Sequence, residues 1–348
     1  MVLTDRVDVL STVRRLREAV FAPYAPIVDT EKRYPYESMQ AIREAGLLGL
    51  SIPREYGGLA SAPDGAADTA LTKQVYRERA RGCSRTAQVF FVHCMVTWPL
   101  FRGEDTAQHR LVAQKVIEEG AAFVVASAED GRTVLDTGTV LRPVEGGYLL
   151  NGVKIFCTGH GGAQCVTVSL IKLLGPNGTL HHDLPEGSCV VALDQPGAIR
   201  SDDWDNMGQH GTTSGTLEFR DVFLEPSQVW KSPKSVLHGP VLQCAFSSNF
   251  LGVAEAALDA GVDYVRTSTR PHPLARVDQA VDDPNIGWHF DDMVPQLHAA
   301  RLVGEAASRT RSVRTTATCR VLMPPMRCPW RRSCLRTRPS TSRAESSR

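Results

Sequence analysis

Gly147-Tyr148-Leu149-Leu150-Asn151-Gly152-Val153-Lys154-Ile155-Phe156-Cys157-Thr158-Gly159 is the stretch on which the fold turns. Gly146-Gly147 opens it, and residues 148–156 follow the two-residue period of a strand. Asn151-Gly152, inside the run, has the sequence of a tight type I′ turn. Further strands are expected at 166–170, 189–193 and 215–219, separated by Gly175-Pro176-Asn177-Gly178 and Pro196-Gly197. No long helical pattern separates them, which favours an antiparallel sheet or barrel over a βαβ wind. Residues 121–232 thus read as a β domain.

Outward from it the period changes to that of helices. Upstream, Val9, Val13, Leu16 and Val20 recur at three- and four-residue steps, the spacing of one apolar helix face. Helical patterns continue at 37–45, 67–80, 86–101 and 106–119, and Ser51-Ile52-Pro53-Arg54-Glu55-Tyr56-Gly57-Gly58 interrupts them. Downstream, 243–268 is long and Ala-rich, and 288–307 follows after Pro271-His272-Pro273. The fold class is α+β, divided as an N-terminal helical domain (1–120), the β domain (121–232), a partial C-terminal helical bundle (233–308) and an unpatterned tail (309–348).

At 348 residues, with 42% hydrophobic and 22% charged, the chain is globular and long enough for two or three domains. Apolar runs such as 121–126 and 166–170 are far shorter than the ~20 residues that span a bilayer. The N-terminus carries Asp5 and Asp8 and no apolar core of a secretory signal. The net charge of +1 averages two unlike parts, a tail at +10 (eleven Arg, one Glu) and a body at −9. An acidic body argues against nucleic-acid binding. The tail has the composition of a GC-rich gene read out of frame, and an altered frame beginning near residue 309, with disorder beyond it, is the expectation. Nine cysteines, an odd number without CxxC, suit buried thiols in a reducing cytoplasm. His181-His182-Asp183 reads as a surface loop rather than a metal site.

The dinucleotide, P-loop, zinc-protease and nucleophile-elbow motifs are absent. What is present is a set of segments: the run 147–159, Asp202-Asp203-Trp204-Asp205-Asn206-Met207-Gly208-Gln209, Thr213-Ser214-Gly215-Thr216, and Tyr264-Val265-Arg266-Thr267-Ser268-Thr269-Arg270-Pro271. Together with the Pro-Arg-Glu-Tyr-Gly-Gly turn, they resemble the acyl-CoA dehydrogenase superfamily. The resemblance is closest to its flavin-dependent monooxygenase branch, typified by dibenzothiophene monooxygenase and sulfone-metabolism enzymes, and it covers about residues 10–307.

The resemblance implies a two-component oxidoreductase. A flavin reductase would supply reduced FMN (FAD is the alternative), and a flavin C4a-hydroperoxide would oxygenate a small hydrophobic or heteroatom-containing substrate. It implies that Phe156 packs on the isoalloxazine, that Thr158 bonds N5 and positions the peroxide, and that Trp204 walls the ring. It further implies that His93 transfers a proton and that Arg266 or Arg270 meets the phosphate, in a cytoplasmic homotetramer without membrane or nucleic-acid partners. Ala128 stands where the family carries a hydroxyl before the Glu, so Ser127 is the candidate replacement. Read on their own, Phe156 is equally a strand residue, His93 a core histidine, Trp204 a packing residue, and the two arginines solvated surface. The family's last helices, with their flavin contacts, are expected after residue 308, and nothing in 309–348 matches them. An FAD-dependent acyl-CoA dehydrogenase and an inactive remnant are the alternative readings.

Overall fold

Val9, Val13 and Leu16 are buried along one face of α1 (Arg6–Leu16), as their spacing requires. The computed structural model describes residues 6–60, 69–101, 107–131, 137–175, 177–179, 187–231 and 238–309. A wider turn, Arg17–Phe21, links α1 to α2 (Ala22–Thr30), and α3 (Tyr36–Glu44) follows. Residues 47–56 form only short tight turns, so the Pro-Gly segment does interrupt the helices. Next come α4 (Thr69–Gly82), α5 (Ser84–Thr97) and α6 (Ala107–Ala113).

α5 is the centre of this half. Val89, Phe90, Phe91, Val92, His93 and Cys94 are all buried, consecutive positions that cover every side of a helix. Such a helix sits inside the protein, and α5 packs on α4 and on the first strand. Each buried Phe or Val contributes roughly 1.5–3 kcal/mol of apolar transfer.

The sheet contains β1 (Phe123–Ala126), β2 (Val140–Val144), β3 (Gly147–Lys154), β4 (Cys165–Leu173), β5 (Gly187–Ala192), β6 (Ala198–Arg200), β7 (Leu217–Leu224) and β8 (Val229–Lys231). Its order is β6-β7-β3-β2-β4-β5-β8, with β1 also on β4. The expectation of an antiparallel sheet needs correction, because the sheet is mixed. β1 pairs parallel with 165–168, and β2 pairs parallel with Lys172 and Leu173; the remaining pairs are antiparallel. The crossovers that align β1 and β2 with β4 run through distant chain, and no local pattern marks them.

Asn151-Gly152 is not a turn either. Val144 faces Gly147, so the hairpin closes at Glu145-Gly146, and Asn151 lies inside β3 opposite Val140. Its amide is spent across the sheet. Nδ2 donates to Asp221 Oδ1 at 2.9 Å, and Asn151 Oδ1 accepts the Asp221 N–H at 3.0 Å. The β3–β7 register shifts between Leu150 and Gly152, and a Cβ on Gly152 would sit 2.7 Å from Thr139 Cα. The glycine therefore serves a bulge and a close approach, the other context that selects it.

After the sheet, α7 (His238–Thr267) packs on α4, α5 and α8 (Pro284–Arg309). Arg77 faces Glu255 at 3.6 Å, and Arg81 faces Asp259 at 2.5 Å, which pins α7 to α4. Phe250 and Tyr264 on α7, and Trp288, Leu302 and Val303 on α8, are exposed. The described residues up to 309 form one compact unit. The tail beyond 309 and the His181-His182-Asp183 segment lie outside the described residues.

Candidate functional site

The end of β3 is a built corner. Ile155 donates its N–H to Ala128 O at 2.9 Å, which closes the strand against the 127–129 segment. The next residue, Phe156, has φ +56, a left-handed conformation that costs a non-glycine residue about 1–2 kcal/mol. That turn swings its ring outward, leaving the residue 59% exposed, although Phe is among the residue types most often buried. Trp204 stands edge-on to it, centroids 6.1 Å apart and planes at 88°. Two backbone bonds hold the corner on the opposite loop: Cys157 N–H to Gly215 O at 2.9 Å, and Gly159 N–H to Thr212 O at 2.8 Å.

The Trp204 side is equally fixed. Asp203 accepts the Thr216 N–H at 2.8 Å and the Thr216 hydroxyl at 2.6 Å. Burial alone would raise the Asp203 carboxyl, but these bonds outweigh it and hold it below its usual range. The indole N–H donates to Gln209 O at 3.0 Å. Gln209 (φ +58) and Thr213 (φ +44) are also left-handed, so three strained non-glycine residues flank one site. Gly215 makes the loop's close approach: a Cβ there would strike Asp203 Oδ1 and come within 2.6 Å of His160 Nε2. Gly215→Ala should therefore release the Asp203–Thr216 clamp and lower the order of Trp204. The measurement is Trp fluorescence anisotropy, and unchanged anisotropy with an unshifted melting temperature would contradict the clamp.

Three hydroxyls run under the corner. Thr158 Oγ1 lies 2.9 Å from Ser214 Oγ, Ser214 Oγ lies 2.7 Å from Thr212 Oγ1, and Thr212 Oγ1 donates to Gln209 O at 2.8 Å. Behind them sits a buried ion pair, Lys154 Nζ to Glu129 Oε1 at 2.9 Å. Lys154 also donates to Ser127 O and Leu170 O, each at 3.1 Å. Glu129 accepts the Thr139 hydroxyl at 2.6 Å, the Thr139 N–H at 3.0 Å and the Gly138 N–H at 2.5 Å, with Thr137 as a further donor. Burial would push the Glu129 carboxyl up, yet the bonds from Lys154, Thr137, Thr139 and Gly138 hold it well below the usual range. Burial pushes the Lys154 ammonium down from its ordinary value.

Phe156 and Trp204 are thus in ring contact, and Thr158, two residues on, is joined to the Trp204 loop through Ser214 and Thr212. Ser127 lies beside them through the Ala128–Ile155 bridge, but its hydroxyl is engaged 2.5 Å from Ser169 Oγ. His93 does not join them. It is fully buried on α5, where Nε2 lies 2.8 Å from Leu48 O and Nδ1 accepts the Phe123 N–H at 2.9 Å. Burial lowers its pKa to about 4. With both nitrogens committed to backbone, no lone pair or proton is left for transfer, so the catalytic expectation for His93 is replaced by a structural one. Arg266 and Arg270 lie exposed at the end of α7, which packs on helices, and neither guanidinium has a hydrogen bond or ion pair among the described residues. No grouping of three metal-ligating side chains occurs among the described residues. Sequence reasoning gave no role to Ser214, Thr212, Lys154 or Glu129. Lys154 and Ser214 stood in quoted motifs and Thr212 beside one, and only the folded loop lines up the two hydroxyls.

Residues 4–119 match the family description "Acyl-CoA dehydrogenase, N-terminal domain". A Pseudomonas putida protein described as "Probable FMNH2-dependent monooxygenase SfnC" is 30% identical over 300 residues, covering 83% of this chain and 70% of that protein. The chain belongs to the acyl-CoA dehydrogenase superfamily. Within this superfamily, a dibenzothiophene monooxygenase of Rhodococcus qingshengii is 32% identical over 286 residues. That match takes in 77% of this chain but 64% of the relative, just under two thirds of its length. Among solved superfamily structures, FMN-bound TdsC from Paenibacillus sp. A11-2 superposes with a TM-score of 0.77 at 25% identity, covering 86% of this chain and 75% of TdsC.

The site's donor set suits a flat heterocycle. An outward Phe ring, an adjacent indole and a hydroxyl at the strand end offer an apolar wall and one polar contact, the arrangement a flavin ring needs.

Proposed function

We propose that this chain carries the flavin and substrate cradle of a two-component monooxygenase. A separate flavin reductase would supply reduced FMN, and the substrate would be a small hydrophobic or heteroatom-containing molecule. The observation that carries the reading is Phe156, turned out of the sheet by a left-handed backbone and exposed beside Trp204. Strain at a non-glycine residue persists where the surroundings enforce it, and here it presents an aromatic face to solvent. The monooxygenases among the relatives support the same reading.

Reduced FMN, when bound, supplies the electrons that activate dioxygen and the means of passing one oxygen atom to the substrate. Phe156 and Trp204 would cover the ring and exclude water from it. Thr158 would hold the ring at N5. Lys154 and Glu129 would act from behind by fixing the 127–129 segment against Ile155. The assembly would be a homotetramer, for which the exposed apolar residues of α7 and α8 give support, with flavin phosphate contacts drawn from Arg266 or Arg270. The free thiols of the described cysteines favour a cytoplasmic setting, and no helix among the described residues is long and apolar enough to cross a membrane. The divisions near residues 120, 232 and 308 belong to the same proposal.

The test is a titration with FMN. Quenching of flavin fluorescence is expected, and Phe156→Ala should weaken binding by about tenfold, the scale of one good ring contact. Thr158→Val should reduce turnover more than binding. Unquenched fluorescence at saturating FMN would remove the cofactor and favour an inactive remnant. Bleaching of bound FAD by an acyl-CoA would instead assign a dehydrogenase.

A further inference from the structure

Gln209 O can only accept hydrogen bonds, and this fixes the direction of every hydroxyl proton in the row that ends on it. Thr212 has one hydroxyl proton, and it goes to Gln209 O at 2.8 Å. Its oxygen therefore accepts from Ser214, 2.7 Å away, which uses the single Ser214 proton. Ser214 in turn accepts from Thr158 at 2.9 Å. Thr212 and Ser214 are buried, at 1% and 4% exposure, so water does not readily replace either bond. Gln209 O is held from two further directions, by the Thr212 N–H at 3.0 Å and the Trp204 indole at 3.0 Å. What Thr158 has left to offer outward is a lone pair.

We propose that Ser214 and Thr212 lock Thr158 as a hydrogen-bond acceptor, so that the site selects reduced over oxidised flavin. The inference rests on the reading above that Thr158 faces flavin N5. Reduced flavin carries a proton on N5 and donates it; oxidised flavin presents a bare nitrogen that accepts. A locked acceptor matches the first and sets lone pair against lone pair with the second. Ser214 and Thr212 touch neither flavin nor substrate in this arrangement and act as positioning residues. The consequence suits an enzyme that must take reduced flavin from solution in the presence of the oxidised form.

The experiment measures dissociation constants for oxidised FMN and, anaerobically, for dithionite-reduced FMN, together with the midpoint potential of the bound flavin. The unaltered 348-residue chain is compared with Ser214→Ala, Ser214→Thr, Thr212→Val and Thr212→Ser. The unaltered protein should prefer reduced FMN. Ser214→Ala and Thr212→Val free the Thr158 proton to turn outward, and the preference should fall by about tenfold, the worth of one matched hydrogen bond. For a two-electron couple, tenfold corresponds to a drop of ~30 mV in midpoint potential. The hydroxyl-keeping variants, Ser214→Thr and Thr212→Ser, should retain the preference. Equal weakening of both redox forms in Ser214→Ala and Thr212→Val would reduce the row to a structural role and overturn the proposal while leaving the flavin site intact. Absence of binding to either form by the unaltered protein would overturn the functional reading itself, and this inference with it.

Discussion

Lys154→Met should cost the fold roughly 3–5 kcal/mol, the usual penalty when one partner of a buried ion pair is removed. The lysine side chain has no exposure and its carboxylate partner only 9%, so the variant leaves Glu129 charged with no water to replace the ammonium. Two backbone acceptors, Ser127 O and Leu170 O, lose their donor at the same time. Urea denaturation at pH 7 is the measurement. Adding Glu129→Gln to Lys154→Met should recover part of the loss, because the uncompensated charge goes with it. An equal or larger loss in the double variant would mean that Glu129 serves the donors of residues 137–139 more than it serves Lys154. The pH dependence has a definite sign. A carboxyl held below its usual range contributes stability above the unfolded value near 4.5 and loses it as pH falls toward the folded one. The Lys154–Glu129 contribution should therefore start to fall below about pH 4.5 and be lost progressively into strong acid.

His93 should produce the second large effect, in a different pH window. Its folded pKa of about 4 lies below the ordinary value of 6.5, because burial disfavours the charged ring. The unfolded chain takes up a proton near pH 6.5 and the folded chain does not. Stability is thus complete above 6.5 and declines as pH falls toward 4, by roughly 3 kcal/mol in all. His93→Phe removes that titration and flattens the decline. It also leaves Leu48 O and the Phe123 N–H buried without partners, at about 1–3 kcal/mol each, so the variant should be less stable at pH 7. Denaturation curves at pH 7 and pH 4.5 distinguish the two effects. A Phe variant with unchanged stability, unchanged pH slope and abolished turnover would return His93 to the proton-transfer role.

His93 also shows what the sequence could and could not reveal. Its position in an apolar helical run marked it as buried or functional, and only the placement of Leu48 and Phe123 around the ring decides between them. Helix and strand order was legible because apolar periodicity is local: the Val9-Val13-Leu16 face and the 147–156 run survive folding almost residue for residue. Strand direction was not legible, since the parallel alignment of β1 and β2 with β4 depends on chain far from either. Asn151-Gly152 carried a real signal for unusual backbone, but the bulge against β7 and the contact with Thr139 claimed it in place of a turn. Phe156, Thr158 and Trp204 became candidates because a family resemblance named their positions. The Thr158–Ser214–Thr212 row was not found, since single hydroxyls from two segments carry no pattern until the 209–215 loop folds back.

Phe156, Gln209 and Thr213 share a further consequence. Each holds a backbone shape that glycine or asparagine would adopt at less cost, and together they store a few kcal/mol that the rest of the unit must supply. Selection for heat resistance alone would push these three positions toward small, permissive residues. Such a lineage would gain robustness and surrender its aromatic face first. If the corner at Phe156 is the flavin site proposed above, endurance and chemistry compete there for the same residue.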